Sequence, residues 1–262
     1  MSFLALQAGP AEVILASYGA QALSWRHRIT PILYEGSSPK RSGIPLLFPF
    51  ADPLKNETLI HTNTQLPQHG FARNVEWTLT QLSEGTAQAT LASSQLPEEW
   101  RAKYPYEFES NLTLSLEADD TTTRLTYNWQ VQNLDTKPLP TAPGLHPYFP
   151  LPHEEKSRLR TEPALDLTPL ATDKELETGL KYPYTDVQVK LPNYQLHITT
   201  DPHPDLFVAW SQPPSLPDSN FVCLEPFMRT TNGINENPIW VQPNKVWRWR
   251  VTFEVQTVPA NA

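Results

Sequence analysis

The sequence of 262 residues contains a single cysteine, Cys223, and has far fewer glycines than prolines. One cysteine excludes an internal disulfide and any metal site built from several thiolates. Nine glycines stand against 28 prolines, and so many prolines disfavour long helices and favour short elements joined by rigid turns. No apolar stretch approaches the roughly 20 residues of a membrane-spanning helix.

A surplus of positive charge is also missing from the sequence. The formal net charge is −8 at pH 7, and there is no basic cluster of the kind that binds nucleic acid or an anionic membrane. Met1 to Gln7 lack the basic region and the apolar core of a signal peptide. We therefore expect a cytoplasmic protein with no nucleic-acid partner and no membrane partner.

Alternation of apolar and polar residues dominates the remaining pattern. It is clearest from Leu112 to Leu116, from Leu125 to Val131 and from Trp247 to Val255. A period of two predicts antiparallel strands with one buried face. Only Leu96 to Ala102 is typical of a short helix. Without a linker or an internal repeat, the sequence predicts one all-β domain over residues 1–262, a large antiparallel β-sandwich with very little helix.

Two ionisable side chains each stand directly before a proline. His146 lies in the segment Pro143 to Phe149, and Glu225 lies in the apolar run Val222 to Phe227. Proline restricts the backbone of the preceding residue, and imidazole exchanges protons near neutral pH. A potential acid and a potential base in rigid positions are the minimum needed to move protons on a substrate. A histidine in a tight turn with no chemical role is the alternative.

Other kinds of site have weaker support. A metal site could use His61 and His69 with Glu225, but no paired-histidine spacing is present. No glycine-rich phosphate loop and no Gly-x-Ser-x-Gly motif occur, so a nucleotide cofactor and a serine-hydrolase site are not indicated. A non-catalytic sugar-binding module stays open, although Trp129 and Trp249 alternate in phase with aliphatic residues, which favours a role in the core.

Four segments, taken in order, resemble the aldose 1-epimerase (galactose mutarotase-like) family. They are Arg41 to Pro49, Gln68 to Arg73, Gly144 to Phe149 and Cys223 to Pro226. The resemblance implies the supersandwich of that family, a large β-sandwich with a groove on one face. It also implies interconversion of the α and β anomers of an aldose with no metal and no organic cofactor. The expected partner is a small-molecule sugar or sugar phosphate, and the expected state is a monomer or homodimer.

The resemblance also implies roles for individual residues. Glu225 would take a proton from the anomeric hydroxyl, and His146 would give one to the ring oxygen. His69 would bind the substrate near the reacting oxygens, and Arg73 would contact sugar hydroxyls or an anion. Since a carboxylate next to an imidazolium raises the histidine pKa and lowers its own, we expect a charged His146 and an ionised Glu225 near neutral pH.

The identity of the substrate stays open between a free hexose and a hexose 6-phosphate. Arg41 and Arg73 resemble the arginines of the hexose-6-phosphate mutarotase (glucose-6-phosphate 1-epimerase) branch, which are expected on the phosphate. Ser42 stands where that branch usually has glycine. For a substrate-binding aspartate, Asp186 is the best candidate and Asp205 its rival.

Overall fold

The computed structural model describes residues 1–38, 41–172 and 175–257, and strands dominate these ranges. The strands are β1 Phe3–Ala8, β2 Ala11–Ala16, β3 Gln21–His27, β4 Thr30–Pro31, β5 Leu46–Leu47, β6 Thr58–Leu59, β7 Thr64–Gln65, β8 Thr78–Ser83, β9 Thr86–Ala92, β10 Phe108–Ala118, β11 Thr122–Asn133, β12 Leu139–Thr141, β13 Gly144–Leu145, β14 Tyr148–Pro150, β15 Arg160–Glu162, β16 Leu180–Pro183, β17 Val187–Lys190, β18 Tyr194–Asp201, β19 Leu206–Trp210, β20 Phe221–Phe227, β21 Ile239–Val241 and β22 Val246–Thr257. The α-helices are α1 Glu98–Lys103 and α2 Gly233–Glu236, and short 3₁₀ helices span Lys55–Glu57, Ala72–Asn74, Ser93–Gln95, His153–Arg158 and Thr168–Ala171. This composition confirms the all-β prediction.

An eight-stranded antiparallel sheet is the larger of the two main layers. Its order is β15-β17-β18-β22-β11-β10-β9-β8. Along β11 every second residue is buried, and Trp129 lies opposite Trp249 of β22. The period-two pattern in the sequence therefore corresponds to strands that bury one face.

A six-stranded sheet forms the second layer and carries the site described below. Its order is β16-β19-β20-β13-β5, and β14 also pairs with β20. The ring of Phe149 in β14 lies 6.2 Å from that of Phe253 in β22. Phe48, next to β5, lies 6.2 Å from Trp129 of β11. These contacts place the hydrophobic core between the two sheets.

The segment from Ser42 to Phe50 is buried throughout, although only Leu46–Leu47 forms a strand within it. Pro45 and Pro49 interrupt this segment, which explains why so little of it pairs as regular strand. The largest hydrophobic cluster takes residues from Leu6 to Val255, and the assignment of residues 1–262 to one domain stays a prediction. Among the described residues, no helix has the length and apolar character needed to cross a membrane.

Candidate active site

The pairing register of β20 explains why His146 and Glu225 meet. Strands β14 and β20 are antiparallel, with Tyr148 directly opposite Cys223. His146 lies two residues before Tyr148, and Glu225 lies two residues after Cys223. The same antiparallel register, which also pairs Gly144 with Phe227, therefore brings His146 opposite Glu225. Side chains in such cross-strand positions share a face, with Cβ atoms about 4.5–5.5 Å apart. Nδ1 of His146 lies 3.4 Å from Oε2 of Glu225.

Close backbone packing holds the histidine in this position. The backbone N–H of His146 donates to the carbonyl of Pro45 at 3.1 Å. At Gly144, a Cβ atom would lie only 2.7 Å from the Cβ of Ala51 and from a ring carbon of Phe227. Since real side chains do not approach so closely, glycine is required where β13 passes between its neighbours.

The ring of His146 is enclosed but keeps a nitrogen without a hydrogen bond. It stacks on Tyr148 with ring centroids 4.7 Å apart and an angle of 3° between the planes. The edge of Trp210 closes one side at 5.9 Å. Nδ1 is buried and has no hydrogen-bond partner among the described residues. Its 3.4 Å approach to Glu225 is therefore an electrostatic contact that lacks hydrogen-bond geometry, and both groups can still bond to a ligand.

His69 lies against His146 in a left-handed backbone conformation. Its φ is 71°, and that of Gly70 is 68°; such values cost a non-glycine residue conformational energy. Burial lowers the pKa of His69 to about 3, and the charge of Arg73 acts in the same direction. The imidazole is therefore neutral, and its Nδ1–H donates to the carbonyl of Ala51. Nε2 then carries no proton and can accept a hydrogen bond.

Two arginines reach the same cavity. Neither Arg41 nor Arg73 forms an ion pair with a described residue. Arg41 donates to the side-chain oxygen of Gln212 at 3.0 Å, while Nε of Arg73 is buried and unbonded. Burial raises the pKa of the Tyr148 hydroxyl, and the charges of both arginines oppose that rise. Both guanidinium groups therefore act on one region, near Tyr148.

An ion pair of Asp52 with Lys181 was missed by the sequence analysis. Lys181 lies opposite Val208, which lies opposite Glu225, so the three residues form one row across the sheet. Nζ of Lys181 lies 2.6 Å from Oδ2 of Asp52, which also accepts a hydrogen bond from Thr231 at 2.6 Å. Asp52 lines the cavity. No motif indicates this position, which depends on the strand register that brings Lys181 to the same row.

The pKa shifts of the pair differ in direction from the expectation. Burial raises the pKa of Glu225 well above its ordinary value; Asp52 adds to this rise, while Arg73 and Lys181 oppose it. Burial lowers the pKa of His146 well below its ordinary value, helped by His69 and Arg73. A neutral imidazole next to a protonated carboxyl is thus favoured in the free site. Both shifts run opposite to the expected directions, because loss of hydration outweighs the mutual attraction of the two groups.

Five of the predicted site residues line one cavity of about 290 Å³. They are Arg41, His69, Arg73, His146 and Glu225. Asp186 does not line it: this carboxylate lies 3.9 Å from Nε2 of His203 and accepts a bond from Tyr184 at 3.3 Å. Its rival, Asp205, accepts a bond from Arg229 at 3.3 Å and is also outside the cavity lining. The position of Asp186 gives no support to a role in substrate binding.

The metal site considered from the sequence is not assembled. His61 bonds to the carbonyl of Ile234 at 2.8 Å and does not line the cavity with His69 and Glu225. Within the described ranges, one group of potential metal ligands does come together, formed by His146, Cys223 and Glu225, with ligand atoms within 4.8 Å of one another.

Comparisons with known proteins identify the family and the fold. The sequence model of the aldose 1-epimerase family matches residues 3–189. The chain belongs to the aldose 1-epimerase family. Similar solved structures include a Synechocystis sp. PCC 6803 protein, with 22% identity and a TM-score of 0.81 over 98% of this chain and 96% of that chain. A galactose mutarotase related enzyme from Lactobacillus acidophilus has 20% identity and a TM-score of 0.77, with coverages of 99% and 98%.

A galactose mutarotase-like protein from Clostridium acetobutylicum is also similar in structure. It has 15% identity and a TM-score of 0.76, with 98% of this chain and 95% of that chain covered. At these identities the structural likeness shows the fold. It confirms the galactose mutarotase-like β-sandwich implied by the sequence motifs, and the family match supports an epimerase that acts on a sugar.

Proposed function

We propose that this family member interconverts the α and β anomers of a hexose, with Glu225 as the base and His146 as the acid. The observation that carries this proposal is the contact of 3.4 Å between the two side chains at a cavity that both line. The two groups do not satisfy each other's hydrogen-bonding capacity, because Nδ1 of His146 has no hydrogen-bond partner among the described residues.

Ring opening moves two protons, and this site has groups for both. Glu225 removes the proton of the anomeric hydroxyl, and His146 donates a proton to the ring oxygen. After rotation about the C1–C2 bond, closure on the other face reverses both transfers. Each well-placed acid or base contributes ~10²–10⁴-fold to the rate.

The starting state for opening contains the same number of protons as the free site. Relative to an ionised Glu225 and a neutral imidazole, the pair holds one extra proton, on either Glu225 or His146. A sugar hydroxyl that donates to the carboxylate stabilises its ionised form, and Arg73 and Lys181 already lower the pKa of Glu225. Sugar binding therefore moves the proton to His146, and ring opening returns the pair to the neutral form that burial favours.

Replacing Glu225 with glutamine tests this assignment. Glu225→Gln keeps the shape of the side chain and removes the base, so anomer exchange should slow by at least ~10²-fold. Glu177→Gln is the matched control, because Glu177 also lines the cavity but is exposed, and it should stay within about threefold of the wild type. The assay is polarimetry on freshly dissolved α-glucose and α-galactose, with circular dichroism to verify folding. A near-normal rate in Glu225→Gln would refute the assignment of Glu225 as the base.

A hexose 6-phosphate is a second candidate substrate. The specific observation in its favour is that Arg41 and Arg73 form no ion pair within the described ranges, while the charge of each opposes the raised pKa of Tyr148. A dianionic phosphate would supply the missing negative charge, and guanidinium groups bind phosphate in a bidentate geometry. A non-catalytic sugar-binding role is the remaining alternative. It requires that the wild-type protein leave anomer exchange at its uncatalysed rate.

A further inference from the structure

Cys223 lies beside the acid–base pair but has no part in the proposed reaction. It is fully buried, and it packs with Tyr148 and Phe221. Side chains two residues apart on a strand share a face, so the sulfur of Cys223 lies on the same face of β20 as the carboxylate of Glu225. The register also makes Cys223 a diagonal neighbour of His146 across the strand pair.

These three side chains have the geometry of a metal-ligand set. One ligand atom from each of His146, Cys223 and Glu225 lies within 4.8 Å of the other two. Tetrahedral coordination with metal–ligand distances near 2.0–2.3 Å puts ligand atoms roughly 3.3–3.6 Å apart. Closing a gap of 4.8 Å thus requires a movement of roughly 1.2–1.5 Å, shared between rotations of the three side chains. His146 adds an independent indication, because its Nδ1 is buried and unbonded among the described residues, with the side chain 9% exposed.

The donor types select the class of ion. One imidazole nitrogen, one sulfur and one carboxylate oxygen suit zinc and softer divalent ions such as cadmium. Binding releases the thiol proton of Cys223 and the carboxyl proton of Glu225 to solvent. Magnesium and calcium prefer oxygen ligands alone. Three protein ligands leave a fourth position on the side of the cavity, as in zinc sites that bind an exchangeable ligand.

We propose that His146, Cys223 and Glu225 form a binding site for a thiophilic divalent cation, and that occupancy inhibits the enzyme. An ion at this position ligates the carboxylate and the imidazole that the proposed reaction needs. The cation is therefore an inhibitor of the reaction and not its cofactor. Binding itself does not depend on the proposed function, whereas inhibition rests on both.

Direct binding is measured with Co²⁺, whose thiolate complexes absorb through ligand-to-metal charge transfer. Titration of the wild-type protein should give a thiolate band that saturates at one equivalent. Cys223→Ala should remove the band, whereas His203→Ala should leave it unchanged, because His203 belongs to the exposed pair with Asp186 elsewhere. Absence of the band in the wild type, or its persistence in Cys223→Ala, overturns the site even if epimerase activity is present.

Inhibition is measured with Zn²⁺ and Cd²⁺, with Mg²⁺ as the negative control. Loss of outer-shell partners alone costs 10–100-fold in metal affinity, so loss of the sulfur ligand should raise the inhibitory concentration by at least ~10²-fold. Cys223→Ala should retain the basal rate, and a chelator should restore the rate of the inhibited wild type. Equal inhibition of wild type and Cys223→Ala contradicts the proposal. Should Cys223→Ala fail to fold, Cys223→Ser replaces it in both measurements, with the same expected direction.

Discussion

Arg41 offers the sharpest test of substrate choice, because it reaches the cavity without acting on the acid–base pair. The charge of Arg41 lowers the pKa of Tyr148 against the effect of burial. The charges that lower the pKa of Glu225 belong to Arg73 and Lys181 instead. Arg41→Gln therefore removes a positive charge from one region of the cavity and leaves the chemistry in place. Loss of Arg73, by contrast, also disfavours ionised Glu225.

The magnitude follows from the type of bond that is lost. A hydrogen bond to a charged group contributes ~1.5–3 kcal/mol, and an ordinary one ~0.5–1.5 kcal/mol. With ~1.4 kcal/mol per factor of ten, Arg41→Gln should lower kcat/KM for a hexose 6-phosphate by ~10- to 100-fold if Arg41 binds the phosphate. The value for a free hexose should fall by less than ~tenfold.

The assay compares kcat/KM for glucose, galactose and glucose 6-phosphate in the wild type, Arg41→Gln and Arg73→Ala. Arg158→Ala is the control, since this arginine is an exposed member of a surface pair with Glu155. Arg73→Ala should lower all three values, because removal of its charge raises the pKa of Glu225 further. If the phosphate ester has no advantage in the wild type and Arg41→Gln affects all sugars equally, the phosphate hypothesis is refuted.

Two further predictions follow from contacts in the site. Lys181→Met should lower kcat more than it changes KM, because the unpaired charge of Asp52 then disfavours ionised Glu225. Urea unfolding of this variant should show a loss of stability of ~1–3 kcal/mol. Combining Lys181→Met with Asp52→Asn should recover part of both losses, whereas additive losses would contradict the coupling. Gly144→Ala should destabilise the fold by ~1–3 kcal/mol, since its Cβ would lie 2.7 Å from Ala51 and Phe227; an unchanged urea midpoint would show that the local backbone adjusts freely.

Much of the fold could be predicted from local pattern. Alternation at Leu125 to Val131 and at Trp247 to Val255 identified β11 and β22, since each buries one face against a single core. The helical interpretation of Leu96 to Ala102 corresponds to α1, Glu98–Lys103. Short strands such as β5 and β13 could not be identified, because two residues have no periodicity and their pairing depends on neighbours that are remote in sequence.

The site could be predicted only where residues stand in a recognisable motif. His146 and Glu225 were accessible because each precedes a proline in a distinctive segment. Asp52 was not, because its place in the cavity depends on a bond to Lys181, and Lys181 reaches this row through the pairing of β16 with β19. Asp186 was chosen as the best match to the family's substrate-binding aspartate, and in the structure it contacts His203 and Tyr184 outside the cavity lining.

The protonation of the pair leads to a prediction about pH. The active pair carries one proton more than an ionised Glu225 with a neutral imidazole. The rate should therefore fall when the pair gains a second such proton and when it loses the first. Because the pKa of His146 is lowered, the acid limb belongs to protonation of His146. Because the pKa of Glu225 is raised, the basic limb belongs to ionisation of Glu225. The plateau between them should be broad, and NMR should show a neutral His146 ring in the free protein throughout it.

The same pKa shift has a consequence for stability that does not depend on activity. A carboxyl whose pKa is raised by folding contributes stability that is complete below its unfolded pKa, about 4.3, and is lost as the pH rises through the folded pKa. Glutamine has no such titration. Glu225→Gln should therefore gain stability relative to the wild type as pH increases through that window, measured as the difference in urea midpoint at each pH. A constant difference, or an imidazolium signal of His146 in the free protein at neutral pH, would show that the pair is ionised and that burial does not control its proton.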